Sequence, residues 1–281
     1  MKRKLSTIIL ILMFFAGLSL LLYPTVSDYW NSMHASQAVA TYAGNVRNLT
    51  VETYAGMLEA AEEYNKELAE QGGIAALSQE KEELYQSLLN VDHSGMMGYI
   101  EIPSIDVSLP IYHGTDDAVL QVGAGHLDWS SLPVGGESTH CVLSGHRGLP
   151  SARLFTNLDR LVEGDHFIVR VLDEIYTYEV DQILIVEPTD VSALAIEEGK
   201  DLCTLVTCTP YGINTHRLLV RGHRVENTSE EIRVTSDAIQ IEPVIVAPVI
   251  AAPILLILLL TVFLSGNKKK PSGGDENEKT A

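Results

Sequence analysis

The chain has 281 residues, 37 Asp and Glu against 19 Lys and Arg, a formal net charge of −18 and 46% hydrophobic residues. That length suits one or two domains with a packed core, and the apolar content is too high for a disordered chain. The acidic balance argues against a nucleic-acid partner, whose phosphates need a basic surface, and three cysteines cannot all pair within one chain, which excludes a disulfide-stapled scaffold.

Lys2, Arg3 and Lys4 precede an uncharged run from Leu5 to Leu22, followed by Tyr23, Tyr29 and Trp30. At 1.5 Å per residue the run is roughly 27 Å long, close to the hydrocarbon thickness of a bilayer, and the aromatic residues suit its interface. A retained transmembrane helix over 5–22 is expected rather than a cleaved signal, because the Ala38–Ala40 triplet lies far beyond the run. Residues 28–90 read as helical. Tyr42, Val46, Leu49, Thr53 and Met57, then Ala61, Tyr64 and Leu68, recur at three- and four-residue spacing. Gly72-Gly73 breaks this stretch and Glu80 to Leu89 resumes it. The expectation is a solvated amphipathic stalk or collar without a catalytic constellation.

From Gly98 the pattern changes to period two and short apolar runs. Strands are expected at Tyr99–Ile102, Val107–Ile111, Cys141–Ser144, His166–Leu172, Thr177–Ile185, Leu202–Thr207 and Arg217–Val225, with one short helix over Ser151–Leu161. Many short strands with turns suggest a closed barrel or a sandwich. A second uncharged run, Val244 to Leu264, precedes Lys268, Lys269 and Lys270. Lysines on the distal side of both runs place both termini in the cytoplasm and residues 23–243 outside. That outer part holds 12 basic and 34 acidic residues, a net charge of −22, which disfavours polyanions and attracts a lysine-bearing partner.

Cys203 and Cys208 lie five residues apart in one expected strand. That is about 16 Å, beyond disulfide reach, and the odd spacing puts them on opposite faces, so they do not ligate one metal. Cys203, inside the apolar run, reads as a buried small hydrophobe. Cys208, at the strand end before Thr209-Pro210-Tyr211-Gly212, reads as a candidate nucleophile, which needs a base or a positive neighbour. His146 in Ser144-Gly145-His146-Arg147-Gly148 stands at another strand exit; His113, His126, His140, His216 and His223 are rivals. Arg217 follows Cys208 by nine residues. If the two strands are antiparallel neighbours, it folds back beside Cys208 as a fixed, always-charged donor for an oxyanion. Arg147 is expected to point to the opposite side.

Thr204-Leu-Val-Thr-Cys208-Thr-Pro-Tyr-Gly-Ile-Asn-Thr-His-Arg217 resembles the Thr-Leu-x-Thr-Cys … Arg signature of sortases, and Leu143-Ser-Gly-His146-Arg-Gly resembles their histidine segment. Gly98-Tyr-Ile-Glu-Ile-Pro-Ser-Ile, Leu109-Pro-Ile-Tyr-His-Gly and Gly125-His-Leu-Asp-Trp are also similar to that family. Two membrane segments and a helical extension look like its class C, pilus-assembling branch.

The resemblance implies a mainly β fold: an eight-stranded sortase-type barrel with short helices, an N-terminal helical extension and two transmembrane helices. The implied organisation is a cytoplasmic tip over 1–4, a span over 5–22, an extracellular helical extension over 23–95 and a catalytic barrel over 96–228. A linker over 229–243, a span over 244–264 and a cytoplasmic tail over 265–281 follow. The implied activity is cysteine transpeptidation without metal or cofactor, with Cys208 as nucleophile, His146 as general acid/base and Arg217 stabilising the oxyanion or positioning the substrate. An LPxTG-like signal is cleaved between Thr and Gly, held as a thioester, and passed to a lysine of a pilin subunit. One departure is that no Asp-Pro-aromatic lid motif lies between residues 60 and 95; the corresponding stretch is Gln71–Gln79, so a plug of that kind is not expected. Competing readings are a cysteine endopeptidase, a zinc site built from His216, His223 and the cysteines, and a non-enzymatic surface-anchored protein. Against the last, Ile239-Gln-Ile-Glu-Pro243 contains no sorting motif.

Overall fold

A computed structural model of the chain describes residues 2–72 and 78–227. The expected second span over 244–264, the linker, the tail and the middle of the Gln71–Gln79 stretch lie outside the described residues. Helix α1 runs from Lys2 to Arg47, α2 from Val51 to Glu70 and α3 from Gln79 to Ser87. Strands β1 (Met96–Ile102), β2 (Val107–His113), β3 (Ala124–His126), β4 (Thr139–Ser144), β5 (His166–Val171), β6 (Glu174–Val186), β7 (Asp201–Thr209) and β8 (His216–Val225) follow, with a one-turn helix α4 (Asp117–Leu120) between β2 and β3.

The strands close into a barrel in the order β1-β2-β3-β4-β7-β8-β6-β5. Pairs β2–β3 and β4–β7 are parallel; the others are antiparallel. Strands β4, β6 and β7 therefore finish at one end, where β8 begins; β1 starts at the opposite end. Alternate residues fill the interior: Cys141 and Leu143 of β4, Cys203 and Leu205 of β7, and Leu218 and Val220 of β8 join one core with Ile100, Phe167 and Tyr178.

The N-terminal helices pack on this barrel rather than standing off as a solvated stalk. Tyr42, Val46, Ala61, Tyr64 and Tyr85 are buried in the same core. The Tyr42 hydroxyl donates to the Met97 carbonyl at 2.9 Å and accepts from the Leu172 amide at 2.9 Å, so burial of the ring is matched by two hydrogen bonds to backbone groups of β1 and the β5–β6 turn. Asn65 of α2 pairs with both backbone groups of Leu132, and the Tyr85 hydroxyl of α3 meets the His126 ring at 2.9 Å.

Helix α1 continues past the expected span over 5–22 to Arg47, with Pro24 inside it. Three sequence expectations need correction. The 42–57 periodicity crosses a break, because Thr50 caps α2 by accepting from the Thr53 amide; an N-cap of this kind starts a new helix. Ser151–Leu161 is not a helix but a set of turns with one 3-10 turn at Leu158–Arg160. Leu154 has a positive φ of 41° there, a conformation no α-helix contains, and burial of Leu154, Phe155 and Leu158 fixes it. Finally, β3 was not among the expected strands. Its three residues include a glycine and are too few for an alternation to register.

Candidate active site

The geometry of the site follows from strand alternation. On β7, Cys203, Leu205 and Thr207 point inward, so Thr204, Val206 and Cys208 point outward. On β8, Leu218 and Val220 point inward, leaving Arg217, Leu219 and Arg221 outside. Cys208 and Arg217 are direct partners in the β7–β8 ladder, which sets their Cα atoms about 5 Å apart with side chains on one face. Both are half-buried.

His146 arrives on the neighbouring parallel strand. Ser144 is level with Val206, the Gly145 amide donates to the Val206 carbonyl at 3.0 Å, and the Thr207 hydroxyl donates to the Gly145 carbonyl at 2.7 Å. Residue 146 is therefore level with residue 208, at the end where β4 and β7 finish. Gly145 is required by close approach: a Cβ there would stand 2.5 Å from the Phe155 ring. The His146 carbonyl accepts from the Phe155 amide at 3.1 Å, so the turn after His146 folds back under it.

Below these residues the outer face is apolar. Val142, Val206, Leu219 and Leu194 form a second buried cluster, flanked by Leu184 and Trp129. Leu194 belongs to the segment between β6 and β7, which is tied to the sheet through His140. Its Nδ1 lies 2.8 Å from the Ala195 carbonyl and its Nε2 2.7 Å from the Thr204 hydroxyl. The carbonyl can only accept, so Nδ1 carries the proton and Nε2 accepts from Thr204. Burial pulls the His140 imidazole below its ordinary pKa and keeps it neutral.

Arg147 points away from this face, as its position next to His146 predicts, yet it does more than fill surface. Its side chain is 8% exposed and pairs with Asp159; Nη1 donates to the Thr209 hydroxyl at 3.3 Å, and the guanidinium lies 5.9 Å from the Tyr211 ring centroid. It links the turn after His146 to the turn after Cys208, a bracing that residue-type reasoning did not anticipate.

The rival residues lie elsewhere. His113 and His126 are buried against backbone carbonyls and Tyr85. His216 and His223 stand at opposite ends of β8, seven residues or roughly 23 Å apart, so one zinc ion cannot hold both. Cys141 and Cys203 are in-register neighbours in the core, and burial pushes the Cys203 thiol well up. Cys208 is the cysteine with solvent access.

Residues 100–225 match the model of the Sortase domain. The chain is 30% identical over 159 residues to Sortase A of Staphylococcus aureus (strain NCTC 8325 / PS 47), covering 56% of this chain and 74% of that protein. The chain belongs to the sortase family. Sortase D of Bacillus subtilis (strain 168) is 34% identical over 131 residues, 46% of this chain and 63% of that one, so the match spans less than two thirds of that relative. Among solved structures, sortase C1 from Streptococcus agalactiae is 53% identical with a TM-score of 0.67, covering 68% of this sortase and 100% of that chain. Sortases are cysteine transpeptidases, and that neighbour is a class C member.

Proposed function

We propose that this chain is a membrane-anchored class C sortase that cleaves an LPxTG-like sorting signal and joins it to a lysine of a pilin subunit. The observation that carries the reading is the placement of Cys208 directly across from Arg217, with His146 level on the adjacent strand, above an outward apolar floor. In this reading the Cys208 thiolate attacks the threonine carbonyl carbon, and a sulfur–carbon bond forms. The resulting oxyanion is met by the Arg217 guanidinium. His146 gives a proton to the departing glycine amine as the C–N bond breaks, leaving a thioester. The lysine amine then attacks that thioester, His146 takes up its proton, and the thiolate leaves. The buried cluster of Val142, Val206, Leu219 and Leu194 packs the outer face of the strands that carry Cys208, His146 and Arg217, which supports a fixed placement of the three. The outer domain's charge of −22 suits approach of a lysine-bearing acceptor.

The apolar helix start supports the anchor: α1 from Leu5 onward is long and apolar enough to cross a membrane, and the reading of an extracellular catalytic domain with cytoplasmic termini rests on the basic residues at the distal side of each apolar run. The test is incubation of the full chain with an LPxTG-type peptide and a lysine-bearing pilin. Covalent pilin ladders are expected from the wild type. For His146→Ala and Arg217→Ala, losses on the order of 10²–10⁴-fold in kcat/KM are expected. Peptide hydrolysis without transfer to any added amine would replace the reading with that of an endopeptidase.

A further inference from the structure

We infer that the end of the barrel carrying Cys208 and His146 faces the lipid surface, held there by α1. The inference rests on the anchored reading of α1 and goes beyond it in assigning which face of the domain meets the headgroups. Two ties fix α1 along the barrel. Asp28 accepts from the Arg153 backbone amide at 2.7 Å and pairs with its guanidinium at 3.0 Å, and the Asn31 side-chain amide donates to the Ser151 carbonyl at 2.8 Å. Both partners lie in the turn that follows His146. Tyr42, fourteen residues after Asp28, is bonded at the opposite end, where β1 starts and β5 finishes. Those residues of helix cover roughly 21 Å, so α1 runs down the barrel from the site end to the far end. The apolar run over Leu5–Leu22 precedes Asp28 on the same continuous helix. It therefore projects beyond the site end and not beyond the other.

The spacing is short. Asp28 stands six positions after Leu22, about 9 Å of helix, against a headgroup layer of roughly 5–8 Å per side. Tyr23 and Val26 are exposed within this interval and Tyr29 and Trp30 just after it, Trp30 at 63%, which matches an interfacial belt. A separate element points the same way: the uncharged β7–β8 loop at the site end exposes Tyr211 and Ile213, whereas the β5–β6 turn at the far end exposes Asp173 and Glu174. The occupant is the phospholipid headgroup layer, and the peptide that Cys208 attacks has to be met close to it.

The experiment uses the full chain in nanodiscs of phosphatidylcholine and phosphatidylglycerol carrying an acceptor dye on the headgroups. A donor is attached at Val162→Cys, on the turn region of the site end, or at Asp173→Cys, at the far end, each in a Cys208→Ser background; Cys141 and Cys203 are buried. The expected result is a Val162 label closer to the headgroups than the Asp173 label by roughly 20 Å. In Asp28→Ala/Asn31→Ala that difference is expected to shrink. Equal distances, or a closer Asp173 label, overturn the inference. Turnover of a soluble LPxTG-type peptide by the wild type in the same nanodiscs separates the outcomes. Turnover with equal distances sinks the orientation alone, and unequal distances without turnover sink the functional reading alone.

Discussion

Arg147→Met tests whether the turn carrying His146 is held in place from behind. The methionine keeps the buried stem but removes three interactions. The pair with Asp159, whose side chain is 46% exposed, contributes at most about 1 kcal/mol once solvent screening is counted. The Thr209 hydrogen bond, long at 3.3 Å, contributes about 1 kcal/mol, and the contact with the exposed Tyr211 ring about 0.5–1 kcal/mol. Against these, Nε is buried with no hydrogen-bond partner among the described residues, so its removal offsets part of the loss. A net destabilisation of about 2 kcal/mol is expected, a fall in Tm of roughly 4–8 °C for a domain of this size. Because the lost ties join the His146 turn to the Cys208 turn, kcat is expected to fall by about tenfold or more with little change in KM, and Arg147→Lys to rescue poorly, since an ammonium lacks the planar fork. Transpeptidation kinetics and a thermal melt are read on the same samples. A lowered Tm with kcat unchanged would refute the positioning role and leave Arg147 as a packing residue.

Gly145→Ala should cost about 1–3 kcal/mol and lower kcat, because the added methyl meets the Phe155 ring at 2.5 Å; a melt and kinetics equal to wild type would contradict the packing described. Tyr42→Phe should destabilise by about 1–3 kcal/mol through an orphaned Leu172 amide, leaving peptide kinetics intact; an unchanged melt would argue that α1 does not dock there. His113 and His140 both have imidazoles held below their ordinary pKa by burial. The unfolded chain therefore binds protons first as pH falls, so their stability is full above about pH 6.5 and is lost below it toward the folded pKa. Each should contribute a slope of up to about 1.4 kcal/mol per pH unit there, and His140→Gln should flatten the curve measured by denaturant titration between pH 7 and 5.

Much of this site was legible because it lies on strands. The nine-residue spacing from Cys208 to Arg217 translates directly into a ladder pair, and the odd spacing of Cys203 and Cys208 into opposite faces. The helices were less legible. Tyr42 and Val46 declare an apolar stripe but not what it packs on, so docking onto Met97 and Leu172 could not be read from it. The turn at 151–161 misled because Leu154, Phe155 and Leu158 sit at helical spacing although their burial is set by tertiary contacts. The ties from Asp28 and Asn31, each 120 residues or more from its partner, leave no local signal at all.

Intact mass of the full chain after brief exposure to an LPxTG-type peptide, without any acceptor amine, addresses the chemistry most directly. A transient adduct matching the peptide cleaved after threonine, mapped to Cys208, sensitive to hydroxylamine and lost in Cys208→Ala, is the predicted result. Peptide cleavage that continues in Cys208→Ala, or an adduct on a different residue, would contradict it.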